Sequence, residues 1–129
     1  MLKFTYTETG LHLEHLPQSV EDWMTLRVIL SLRTGQRLIV ERGTAAFLLP
    51  TNLVGLRSLE SAIQQETYGT VTLTKSDAEY VEVSLHGTWV CSSSEEVNGV
   101  FVASLGDRTE WLIFKLWRET QNRASPLRR

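Results

Sequence analysis

Ser19-Val20-Glu21-Asp22-Trp23-Met24-Thr25-Leu26-Arg27-Val28-Ile29-Leu30-Ser31-Leu32-Arg33-Thr34-Gly35 is the stretch that sets the fold class. Ser19 followed three residues later by Asp22 resembles a capping box, and Asp22 also suits the positive end of a helix. Val20, Trp23, Met24, Leu26, Ile29 and Leu30 recur at three- and four-residue spacing, Arg33 stands in the last turn, and Gly35 follows where a left-handed C-cap belongs. The pattern predicts a helix over 20–33, with those six residues turned to the core and Trp23 as its largest core side chain.

Outward from this helix the period changes from 3.6 to 2. On its N-terminal side Phe4 and Tyr6, then Leu11 and Leu13, alternate with polar residues around Thr9-Gly10, which predicts a hairpin of strands 3–8 and 11–16 ended by Pro17. On its C-terminal side strands 38–41 and 44–49 flank Arg42-Gly43 as a second expected hairpin, closed by Pro50. Thr51 or Asn52 is then placed to cap a helix with Leu53, Leu56, Leu59 and Ile63 inward and Arg57, Glu60 and Gln64 outward.

From Thr67 onward the residues read as β. Val71 and Leu73 sit among threonines, Tyr80, Val81, Val83 and Leu85 follow, then Thr88-Trp89-Val90, then Val97 to Leu105. Lys75-Ser76-Asp77 and His86-Gly87 are the turns expected between these strands, and Ser92 to Glu96 an exposed loop. Residues 109–118 admit both a strand and a helix. One polar stripe of Arg108, Lys115, Glu119 and Asn122 survives only in helical projection, which favours a terminal helix over 107–122. The expected order is ββαββαββββα, an α+β fold: an antiparallel sheet with two or three helices packed on one face.

At 129 residues, 42% hydrophobic and 22% charged, the chain can fill one core, so residues 1–122 are read as a single α+β domain and 123–129 as a flexible basic C-terminal tail. The lone Cys91 cannot close an internal disulfide, and no apolar stretch has the length of a secretory signal or a membrane span, so a cytoplasmic protein is expected. Net charge is −2. Residues 115–129 hold five cations against one anion, +4, which leaves −6 on residues 1–114. That balance disfavours nucleic acid as a partner held by phosphate neutralisation.

No motif for catalysis, cofactor or metal stands in the sequence. The eight glycines form no phosphate cradle. His12 and His15, three apart in a strand, point to opposite faces, and His86 and Cys91 are separated across the sheet in the same way. The acidic pairs Asp77/Glu79 and Glu95/Glu96 fall in turns, and no serine stands in a nucleophile elbow. Four tryptophans do stand out, with ten of the thirteen cations being arginine, the pairing enriched at binding hot spots. Trp111, Trp117, Arg118 and Arg123 are therefore the candidate partner-binding residues.

The expected function is that of a small non-enzymatic accessory or regulatory protein acting through a protein partner, with self-association into a homo-oligomer as one form of it. Two alternatives stay open. One is a single-stranded nucleic-acid module, with Tyr80 or Trp89 stacking bases while Arg118, Arg123, Arg128 and Arg129 hold phosphates. The other is a small-ligand domain or enzyme with a pocket that carries no sequence motif.

Overall fold

The structure, a computed structural model, describes residues 1–66, 71–92 and 98–124. In chain order the elements are β1 (Leu2–Thr7), β2 (Gly10–His15), α1 (Val20–Thr34), β3 (Ile39–Pro50), α2 (Leu56–Gln64), β4 (Val71–Lys75), β5 (Tyr80–Cys91), β6 (Gly99–Ala103) and α3 (Asp107–Ala124). The six strands form one sheet in the order β2-β1-β6-β5-β3, with β4 also paired to β5, and the three helices complete an α+β fold.

Local chemistry accounts for the boundaries. The β1–β2 hairpin runs from Leu2↔His15 to Thr7↔Gly10. Gly10 has φ 139°, backbone that L side chains rarely adopt. Ser19 Oγ accepts the Asp22 N–H at 3.1 Å to start α1, and Gly35 ends it in the left-handed conformation at φ 70°. At the β4–β5 turn the Asp77 carboxylate accepts the N–H groups of Glu79 and Tyr80 at 2.7 and 2.9 Å.

Two expected turns are absent. Arg42-Gly43 lies inside β3 and His86-Gly87 inside β5, so two pairs of short strands are two strands of 12 residues each. Neither glycine has positive φ. They serve close approach instead: a side chain on Gly43 would run into the indole of Trp89, and one on Gly87 into the Val102 carbonyl and the ring of Phe101.

α2 is also shorter than expected. Thr51 does not cap it, because its hydroxyl donates to the carbonyls of Ala78 and Glu79 at 3.0 and 3.3 Å. The helix starts at Leu56 after Gly55, without a side-chain cap. The segment Trp111–Trp117 is helical, and α3 reaches Ala124, so Arg123 belongs to its last turn. The loop expected at 92–96 falls, beyond Ser92, outside the described residues, as does most of the expected tail.

The chain divides into two compact units, one of Met1–Thr44 with His86–Ser104, the other of Ala45–Leu85 with the segment from Leu105 onward. In the first unit the sheet is packed on both faces. Phe4, Phe101 and Trp89 stand in one cross-strand row through Phe4↔Phe101 and Trp89↔Phe101. Phe4 meets Phe101 edge to face with centroids 5.6 Å apart, Trp89 lies 5.3 Å from Phe101, and Tyr6 lies 4.9 Å from Trp89. Such pairs add about 0.5–1.5 kcal/mol each beyond the area they bury. On the opposite face Met1, Trp23, Val90 and Val102 form a buried cluster flanked by Leu16, Val20, Met24 and Leu38, and this cluster seats α1.

In the second unit Leu56, Leu59 and Ala62 of α2 are buried, and so are Leu112, Ile113 and Leu116 of α3 and Val71, Val81, Val83 and Leu85 of the strands. Gly55 leaves room for Leu116, whose Cδ2 would stand 3.0 Å from a Cβ there. The entry to α3 is held by two carboxylates. Glu110 accepts the N–H of Leu105 and Glu66 accepts that of Gly106, both at 2.8 Å, which satisfies donors preceding the first turn and places negative charge at the positive helix end.

Candidate protein-binding surface

α3 carries the four residues selected from the sequence, and the helix separates them. Trp111 is 50% exposed, with the Lys115 ammonium 5.1 Å from its ring centroid. One turn on, the Arg118 guanidinium lies 5.5 Å from the ring of Phe114. Asp107, Arg108, Trp111, Lys115 and Arg118 are all exposed and share one side of the helix. Trp117 is half-buried and six residues from Trp111, roughly 120° around the helix, so the two indoles do not share a face. The outer side of α3 is therefore an ordinary solvated stripe with one exposed tryptophan in it, with Lys115 and Arg118 lying over rings of their own helix.

α1 is different. Of the six residues expected in its core face, only Trp23 is buried, at 6% exposure, with Val20 and Met24 half-buried. Leu26, Ile29 and Leu30 face outward, as do Val28 and Leu32; these five apolar side chains are 41–78% exposed on a helix of 15 residues. The reason is geometric. Trp23, with Val20 and Met24 beside it, is the part of α1 packed over Val90 and Val102, and the Arg27 guanidinium covers its ring at 4.8 Å, which leaves the apolar side chains of the last two turns exposed.

A signal for this was present in the sequence. Val28 and Leu32 fall on the flank away from Leu26 and Leu30, so the apolar residues surround the helix instead of forming one stripe, a pattern that demands cover on more than one side. Single exposed leucines are common, but a contiguous group marks a contact surface.

Beside α1 a groove of about 330 Å³ is lined by Tyr6, Trp23, Arg27, Arg37, Leu38 and Cys91, among others. Burial raises the Tyr6 hydroxyl above the ordinary tyrosine value of 10.0, which keeps it protonated as a hydrogen-bond donor. Cys91 and His86 are five residues apart on one extended strand, about 16 Å, too far for an activated thiol. The His86 ring instead pairs with Thr44 Oγ1 at 3.3 Å. Among the described residues no group of three or more His, Cys, Asp or Glu side chains is placed to hold a metal ion. Among them, too, no helix is long and apolar enough to cross a membrane.

Residues 1–121 match the family model described as Alr0857-like, and the chain belongs to that family. No curated protein and no solved structure matches it.

Proposed function

We propose that this member of the Alr0857-like family is a small non-enzymatic accessory or regulatory protein of the cytoplasm that acts by binding protein, with the outer face of α1 as its contact surface. The observation that carries the reading is the group of five exposed apolar side chains around the outer side of α1. Leaving such a surface in water forgoes roughly 25 cal/mol for every Å² that a partner would cover, and a protein surface recovers that better than a small ligand does, because the group lies on a convex helix. Nucleic acid has less support. The body of the chain is acidic, and the indole of Trp89 is already engaged by Tyr6 and Phe101.

The test is affinity capture from the native cell extract with the wild-type chain and with Leu26→Glu/Leu30→Glu, both checked for folding by circular dichroism. Proteins retained by the wild type should be lost by the variant, since a buried unpaired carboxylate is costly at an interface. Recovery of the same proteins by both would remove α1 from the account. The groove favours a second reading, a small apolar anion held by Arg27 and Arg37. A rise in melting temperature with an aromatic or fatty carboxylate, absent in Arg37→Ala, would support it.

A further inference from the structure

The order of residues along the exposed face of α1 specifies what covers it. Asp22, Leu26, Ile29 and Arg33 are all exposed and follow one another at spacings of four, three and four. At 3.6 residues per turn they fall within an arc of roughly 60°, a straight seam about 16 Å long on the side away from the sheet. This is the alternation of the two apolar positions of a heptad, with Leu26 and Ile29 in the middle and opposite charges at the ends. Leu30 and Leu32 flank the seam and widen its apolar centre.

We propose, building on the protein-binding reading, that the occupant of this face is a second copy of the chain, with the two α1 helices antiparallel across a two-fold axis between Arg27 and Val28. In that arrangement Leu26 of each copy meets Ile29 of the other, and Asp22 of each meets Arg33 of the other. Two ion pairs then close the two ends of one apolar patch. A two-fold interface must be complementary to itself, and the sequence of α1 reads as complementary only when reversed. Parallel pairing would set Asp22 against Asp22 and Arg33 against Arg33, so the charges select the antiparallel register. Leu26 and Ile29 are large enough to interdigitate at ordinary helix–helix distance, and the N-terminal acid and C-terminal base also suit the dipole of the helix that carries each.

The experiment is sedimentation velocity of the full chain over a wide concentration range, for the wild type, Asp22→Arg, Arg33→Asp and an equimolar mixture of the two variants. The wild type should show a reversible monomer–dimer equilibrium. Each single variant sets like charges together at both ends of the seam and should dimerise about tenfold or more weakly. The mixture should recover a dimer containing one copy of each, because both ends are then complementary again. That recovery also excludes misfolding as the cause of the single defects.

A wild-type chain that stays monomeric throughout overturns the proposal. So does a dimer whose affinity is unchanged in both variants, since another face would then hold it. If the chain is monomeric while Leu26→Glu/Leu30→Glu still loses proteins captured from extract, self-pairing fails and the broader protein-binding reading stands. If capture is also unchanged, both fall.

Discussion

Replacing Trp23 by alanine tests how α1 is attached. The side chain is 94% removed from water, over Met1, Val90 and Val102 and beneath the Arg27 guanidinium. A tryptophan buries about 150–250 Å², which at roughly 25 cal/mol per Å² gives about 4–6 kcal/mol as an upper bound. Residual compactness of the denatured chain trims this by about 10–40%, and losing the cation–π contact adds about 0.5–1 kcal/mol. The expected cost is about 3–5 kcal/mol, in line with large aromatic-to-alanine changes elsewhere, and at this chain length a fall of roughly 10–20 °C in melting temperature. Thermal and urea denaturation followed by far-ultraviolet circular dichroism give the number. Val54→Ala, outside α1, is the internal control: at 93% exposure it should stay within about 0.5 kcal/mol of wild type. A wild-type midpoint for Trp23→Ala, or equal losses for the two variants, would refute the placement of α1.

Gly87→Ala should destabilise by about 1–3 kcal/mol in urea, because the obstacle is the Val102 backbone carbonyl and cannot rotate away; an unchanged midpoint would show that β5 bends there instead. Tyr6, with its hydroxyl raised by burial, should lower stability as pH climbs past 10.0, since the unfolded chain gives up that proton first; Tyr6→Phe should lose less stability than wild type over the same alkaline range, and identical curves would contradict the burial. A labelled single-stranded oligonucleotide should show no tight binding at physiological salt, given −6 on residues 1–114; tight association that weakens log-linearly with salt would reinstate nucleic acid as the partner.

Much of the fold was legible because its signals are local. Ser19, Gly35 and the spacing from Val20 to Leu30 bound α1 to within a residue, and the single polar stripe identified α3 where strand and helix signals conflicted. Gly43 and Gly87 misled for a physical reason. A glycine that opens a turn and one that lets Trp89 or Phe101 approach are the same letter, and only the neighbouring strand distinguishes them. Thr51 likewise looked like a helix cap until the β4–β5 turn claimed its hydroxyl. For the binding surface, residue type drew attention to Trp111 and Arg118 on α3. The exposed apolar side chains on α1 were harder to assign because the same leucines that suit a core suit an interface, and only the packing of Trp23, Val20 and Met24 decides which side of the helix is covered.

If the outer face of α1 is covered by protein in the cell, site-specific photo-crosslinking reads that cover directly. A photoreactive phenylalanine analogue placed at Leu32, at 78% exposure the most accessible of the five, is compared with the same probe at Val54, which is 93% exposed and precedes α2 in the chain. On irradiation of living cells the probe at position 32 should give a discrete protein adduct, of twice the chain's mass if the partner is a second copy, while the probe at 54 gives none. Adducts at 54 but not at 32, or none at either site, would contradict the protein-binding proposal.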